Sequence, residues 1–407
     1  MHYDLIVIGM GLSGLMAAKT AAEAGQKVLI VGKGMGSLCL FSNTIDVLGQ
    51  LPKMMKMRDG LPLWMKDHLE HPYSKVGLKK IDEALSSFLS LFPPPYSFQT
   101  MDDMNCFLPT GAGTLRPTYL LPKIMAGGIF PYERSTLVVG FKGFKDFYAH
   151  YVADHLKCRG ITLSLSDVSY QELTATFLAR LMEKKSFREK IGTEVKKQLH
   201  GETQVGFPAL LGLQDPIRVK EELEKIIGAK VFEIPTLPPS IPGMRIFNRF
   251  REWLVQKGVT FLIGYSVSKA ILEGERCIGI GVTHPPMTTS YSADRFILAT
   301  GRFMGGGLNA DMEKIFEPIF NLPVHQPESR EVWFGKSFFT GFSHPIHQTG
   351  ILIESSFCPI DERGNRILEN VWVAGSTLAH HHCVDEKSRE GIEIATGYTA
   401  AIYALTT

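Results

Sequence analysis

Apolar positions follow three rhythms along the chain. Leu5-Ile6-Val7-Ile8 is an unbroken apolar run, the pattern of a strand buried on both faces. Gly9-Met10-Gly11-Leu12-Ser13-Gly14 follows at once, then Leu15–Ala24, which is small, Ala-rich and helix-favouring. Gly25 stops that helix, and Lys27-Val28-Leu29-Ile30-Val31 reads as a second buried strand. The opening is therefore strand, G-x-G-x-x-G turn, helix, strand, the context a dinucleotide fingerprint requires.

Between about residues 50 and 240 the rhythm becomes helical. It runs through Lys79–Leu91, Phe144–Arg159, Thr174–Leu199 and Arg218–Ile227, with proline punctuation at Pro93-Pro94-Pro95 and Pro238-Pro239. From Gly243 the first texture returns. Arg245–Lys257 reads as an amphipathic helix and Gly258–Leu262 as a strand. Val267–Glu273 and Arg276–Val282 read as strands joined at Gly274-Glu275. Ala293–Gly301 is a buried strand ending in Ala-Thr-Gly, and Asn370–Ser376 is another ending in Ala-Gly-Ser. Thr349–Ile353 is a further strand, and Glu390–Ala401 a small-residue helix. The fold class is α/β: a Rossmann-like FAD/NAD(P)-binding domain with a β-meander crossover, plus an inserted α+β domain. The predicted boundaries are 1–50 with 240–407 for the first and 51–239 for the insert.

Composition narrows the function without naming it. Lys and Arg total 43 against 41 Asp and Glu, so the formal net charge is only +2 and a dedicated nucleic-acid binder is excluded. No window holds 18 uncharged apolar residues, so no membrane span is expected. The first core strand occupies the place of a signal peptide, so a cytoplasmic protein is expected. The six cysteines, at 39, 106, 158, 277, 358 and 383, include no C-x-x-C pair, which argues against a cysteine-held cluster or a redox disulfide.

Each glycine of the opening turn has a physical role. Gly9 permits the tight exit from the strand, Gly11 lets a pyrophosphate approach the main chain, and Gly14 lets helix and strand pack. The Leu12 and Ser13 amides then face the phosphates at the positive end of the helix dipole. The end of the second strand departs from the pattern: Gly32, followed by Lys33, stands where a ribose-binding carboxylate is usual. The next loop offers Ser42, Asn43 and Thr44. Thr300, Gly301, Arg302, Gly375 and Ser376 complete the predicted cofactor contacts, the last two on a turn whose following helix would face a flavin's pyrimidine end.

Together these landmarks resemble the glutathione-reductase-type FAD-binding superfamily, with Ser376 where that superfamily commonly has aspartate. Three strings are similar to the family of the B-type subunit of anaerobic glycerol-3-phosphate dehydrogenase: Phe41-Ser42-Asn43-Thr44-Ile45-Asp46-Val47-Leu48-Gly49, Gly113-Thr114-Leu115-Arg116-Pro117-Thr118 and Thr300-Gly301-Arg302-Phe303-Met304-Gly305-Gly306-Gly307-Leu308. The resemblance implies a flavin-bearing subunit that oxidises sn-glycerol 3-phosphate to dihydroxyacetone phosphate. It implies FMN as cofactor, with FAD as the alternative. It also implies a sister flavoprotein subunit and an iron–sulfur membrane-anchor subunit as partners, hence peripheral membrane association through them and electrons passing towards quinone. Two other readings stay open: a stand-alone FAD-dependent oxidoreductase, and a non-catalytic electron-transfer or scaffold subunit.

Alcohol oxidation needs a base beside the carbinol. His344, His347 and His381 are the candidates. A substrate phosphate needs cations, and Arg116 and Arg389, beside glycine-rich or flavin-facing turns, are suited to it. The adjacent His380, His381, His382 and Cys383 lack ligand spacing, so no metal site is expected.

Overall fold

In the computed structural model, which describes residues 2–52, 54–132, 135–165, 173–337 and 344–406, the opening pattern folds as His2–Ile8, helix Leu12–Glu23 and Val28–Gly32. The chain divides into two compact units. The first comprises Met1–Ser37, Arg58–Leu91 and Arg249–Thr407; the second comprises Leu38–Met57 and Phe92–Asn248.

The first unit is built on a seven-stranded sheet. Thr260–Ile263, Val28–Gly32, His2–Ile8 and Met287–Leu298 lie side by side as parallel strands, with Val371–Val373 parallel to the far half of Met287–Leu298. Arg276–His284 and Ser266–Glu273 extend the sheet as an antiparallel meander. Register puts Ile8 opposite both Val31 and Leu298, and Leu298 opposite Val373. The chain therefore leaves Gly9, Gly32, Ala299 and Ala374 at one carboxyl edge, where open α/β sheets bind ligands. Thr349–Ile353 makes only isolated bridges among the described residues, from Gly350 to His325, from Ile351 to Leu378 and from Ile353 to Pro359.

Helix Leu12–Glu23 is buried from Leu12 to Ala22, including Lys19. Lys19 reaches the Glu23 carboxylate at 2.7 Å and the Ser87 hydroxyl at 2.8 Å, and lies 5.3 Å from the Trp253 ring centre. The sequence assigns residues 51–239 to the insert, yet 58–91 belong with the first unit. The reason is the apolar face of helix Leu78–Leu89: Ile81, Ala84 and Phe88 are buried, and Phe88 packs on Phe250 with ring centres 6.1 Å apart.

The second unit holds a four-stranded, wholly parallel sheet in the order Lys230–Ile234, Gln204–Pro208, Thr136–Phe141, Arg159–Leu163. Helices Ala149–His155, Ala175–Met182, Lys185–Lys197 and Pro216–Ile227 connect these strands, and two short antiparallel pairs accompany the layer. The helical period of 174–199 is interrupted at Lys184, whose main chain is extended. Glu183 beside it accepts from the Leu213 and Gln214 amides, which fixes the break. Residues 144–159 shorten to the helix Ala149–His155, because Arg159 already begins a strand.

A buried ion pair ties this unit together. Arg245 meets Glu233 twice, at 2.7 and 2.8 Å, and donates through Nε to the Gly212 carbonyl at 2.8 Å. Glu233 Oε1 also accepts from the Leu211 amide. Burial works against the Arg245 charge, but Glu233 and Tyr96 outweigh it and keep the guanidinium protonated. Arg245→Met should therefore cost about 3–5 kcal/mol, because it strands a buried carboxylate. A lowered urea midpoint reads that loss, and Arg245→Met with Glu233→Leu should recover most of it.

Candidate functional site

The opening turn is held by contacts too close for any side chain. A Cβ on Gly9, whose φ is +116°, would lie 2.1 Å from the Ala299 carbonyl oxygen, and one on Gly14 would lie 2.1 Å from the Gly9 carbonyl oxygen. Gly375 has φ +81°, and a Cβ there would lie 2.3 Å from Ser13 Oγ. The turn after Val371–Val373 is thus seated directly on the start of helix Leu12–Glu23. No side chain caps that helix at Gly11, no acid lies in its first turn, and a Cβ on Gly11 would meet nothing within 4 Å. An uncapped amide end with open space beside it fits a phosphate group. Gly36 lies against it, within 3.0 Å of Gly11 Cα if given a Cβ, and Lys33 Nζ approaches Gly306. The buried Thr300 hydroxyl makes no hydrogen bond within the protein.

Gly32 has a steric explanation. A Cβ there would lie 3.0 Å from Met10 Cγ and 3.1 Å from the Met10 amide nitrogen. A side chain at position 32 would therefore need Met10 to give way by a few tenths of an ångström. These residues fit the phosphate end of a flavin nucleotide and lack the usual contact for an adenosine ribose.

Arg302 follows Gly301, whose carbonyl accepts from the Thr377 hydroxyl at 3.0 Å. Its guanidinium donates to the carbonyls of His347, Leu378 and His381, the last two at 3.1 Å. It thereby joins two histidine-bearing segments. The His347 ring stands edge-on to His382 at 4.3 Å, and His344 lies 5.7 Å from His347. His344 Nδ1 accepts from the Gly335 amide. Residues 341–343, just before it, lie outside the described residues. His381 is 1% exposed, and neither of its ring nitrogens makes a hydrogen bond.

Electrostatics keep this histidine group neutral. Burial, then Arg302 and His71, drive His381 well below the ordinary imidazole range, with a small opposing pull from the Ser376 main chain. Burial, then His382, His344 and Arg302, lower His347, against Asp385. Burial also lowers His382, against Asp385 and Glu386. Beside them, the Tyr73 amide donates to His71 Nδ1, which leaves His71 Nε2 to donate to Glu386 at 3.2 Å. Burial pushes Glu386 up, but His71, the His382 amide and Ser388 more than offset it and hold it ionised. On the other side of the segment, His325 and His380 stand 4.5 Å apart in the wall of a cavity of about 360 Å³.

The other candidates are held differently. Arg389 is buried at the start of the last helix, Arg389–Thr406, and pairs with Glu390. Arg116, in the second unit, pairs with the fully buried carboxylate of Asp46. In the same unit the Asn43 amide donates to the carbonyls of Leu38 and Phe41 and to the Ser240 hydroxyl, while Ser42 and Thr44 bond each other. Those side chains therefore brace their own loop. No group of histidine, cysteine or acidic residues among the described residues is arranged to hold a metal ion.

One element escaped sequence reading. Glu390 and Glu393, 1% and 4% exposed, lie in the first turns of the last helix. Two acids so placed look like ordinary complements to a helix dipole, and only burial sets them apart. Ser37 donates to Glu393 at 3.2 Å. Burial raises Glu393 to about 7, helped by Glu390 and opposed by Arg389. The folded state then binds more protons than the unfolded one between about pH 4.5 and 7, so this group's contribution falls as pH rises through that window. Glu393→Gln should remove up to about 3 kcal/mol of that pH dependence. The difference in melting temperature between variant and parent should grow from pH 5 to pH 7.5 in the variant's favour.

Known proteins resemble the chain along nearly its whole length. The family model described as an FAD binding domain matches residues 4–391. A protein of Halobacterium salinarum, named as the probable B-type subunit of anaerobic glycerol-3-phosphate dehydrogenase, is 31% identical over 422 residues, spanning 98% of this chain and 97% of its own. The B-type subunit of the same enzyme from Vibrio cholerae is 30% identical over 431 residues, spanning 100% of this chain and 97% of its own. The chain belongs to the FAD-binding-domain family and, within it, to the family of the B-type subunit of anaerobic glycerol-3-phosphate dehydrogenase.

Proposed function

We propose that the chain is the flavoprotein subunit of a quinone-linked anaerobic glycerol-3-phosphate dehydrogenase, oxidising sn-glycerol 3-phosphate to dihydroxyacetone phosphate. The observation that carries this reading is the full-length similarity to two proteins of that name. The sheet edge supports it: one unit brings together an uncapped amide helix end, a turn free of side chains and a neutral histidine group. A bound flavin would supply the hydride acceptor. In this reading the Leu12–Gly14 amides and Lys33 hold its phosphate, with the Thr300 hydroxyl and Ser376 as further contacts. Met10 against Gly32 favours FMN over whole FAD, since the adenosine ribose lacks its usual partner.

The protein's own part in the reaction is to take a proton from the substrate hydroxyl. His347, half-buried, suits that task, because a base must be unprotonated at the working pH and open to the substrate, whereas His381, 1% exposed, is closed off from it. A sister flavoprotein subunit and an iron–sulfur membrane anchor complete the proposed assembly, with peripheral membrane attachment through them. No helix among the described residues is long and apolar enough to cross a membrane.

Acid release of the cofactor and its identification by mass should give FMN; FAD would overturn the mononucleotide reading. Anaerobic addition of sn-glycerol 3-phosphate to the assembled complex should bleach the flavin of this subunit. His347→Asn and His381→Asn should each retain the flavin, and His347→Asn should lower the bleaching rate about 100-fold or more. Unchanged bleaching in His347→Asn would favour the electron-transfer or scaffold reading, which the departures at Gly32 and Ser376 also suggest.

A further inference from the structure

Arg302, half-buried, stands apart from the buried cations of the protein. Arg245 faces Glu233, Arg188 faces Glu222 and Lys19 faces Glu23. Arg302 instead donates to three carbonyl oxygens, and among the described residues no carboxylate lies within ion-pair distance of it. A guanidinium so placed has two effects. Its planar fork fixes the direction of the main chains that accept from it. Its charge, not cancelled by a contacting anion, acts on whatever titratable groups surround it.

Those groups are histidines. His347 belongs to one accepting segment, and His381 and His382 to the other. His347 is faced by His382, His344, Arg302 and Asp385; His381 is faced by Arg302, His71 and His382. Arg302 itself is faced by Cys383 and Glu386. The clamp closes on both sides of the His347–His382 ring contact, whose centres are 4.3 Å apart.

We propose that Arg302 is a positioning residue: it ties the His347 main chain to the Leu378–His381 main chain and so fixes the direction in which the His347 imidazole faces the bound substrate, the buried His381 imidazole sharing the same clamp. The inference rests on the proposed role of His347 as base, but its physical content can be tested separately. Burial lowers both imidazoles in any case; the cation adds a component that a neutral residue at 302 would remove. A lysine would keep the charge while losing the forked contact with both segments.

The test uses the full-length, flavin-loaded chain labelled with carbon-13 at histidine Cε1, with the His347 and His381 signals assigned by His347→Asn and His381→Asn. In the parent protein both imidazoles should titrate below the ordinary histidine value. Arg302→Gln should raise the titration of both by about one pH unit or more, whereas Arg302→Lys should leave them near the parent value. Either imidazole titrating at or above the ordinary value in the parent would overturn the inference, even if the glutamine variant failed to fold. So would an Arg302→Gln protein whose two titrations match the parent. The acid limb of turnover against pH in the assembled complex then separates the two readings. If the titrations move and that limb does not, Arg302 positions the histidines and the assignment of His347 as base fails.

Discussion

The first unit depends on one steric constraint: several elements meet main chain to main chain with no side chain between them. The end of the first strand touches the end of Met287–Leu298 at Gly9 and Ala299. The first helix touches the end of the first strand at Gly14 and the last helix touches the Ser13 main chain at Gly397, while at Gly375 the turn after Val371–Val373 rests on the Ser13 side chain. A single Cβ at any of these points would fall within 2.3 Å of another atom. Because the strands end in register there, the same constraint that closes the core also gathers the loops at one edge. Packing and site formation are thus one event in this unit.

Much of this was legible in the sequence, because the features concerned are local. An apolar run, a glycine turn and an alanine-rich helix have periods that can be counted. The Ala-Thr-Gly and Ala-Gly-Ser strand ends announce themselves in the same way. What was not legible depends on partners far apart in the chain. Nothing near Arg58–Leu91 says that its apolar face joins the first unit. Nothing near Lys184 says that a helix must break because Glu183 caps two distant amides. The parallel layer of the second unit was hidden for a similar reason, since its strands are short and separated by long helical stretches.

The site shows the same division. The glycines and the cation after Thr300-Gly301 could be singled out by residue type, but not by what they touch. Arg302 read as a cofactor contact, yet its donors turn inward to carbonyls. The loop Ser42–Thr44 read as a cofactor wrap, yet its two hydroxyls bond each other and the Asn43 amide donates to the Leu38 and Phe41 carbonyls and the Ser240 hydroxyl. Burial is the deciding quantity in each case. It makes an ordinary histidine such as His381 a neutral one, and a helix-opening acid such as Glu393 a group that titrates near neutrality.

The order of strands also governs how the protein must be made. His2–Ile8 is synthesised early, but its neighbour Met287–Leu298 emerges some 280 residues later. At ordinary translation speeds that interval is roughly 15–60 s. During it that strand, apolar from Leu5 to Ile8, has only Val28–Gly32 as a sheet partner, while Phe92–Asn248 can complete most of the second unit. The chain therefore finishes its later-coded unit first and returns to its beginning last. Through that interval the apolar run Leu5–Ile8 is paired along one side only.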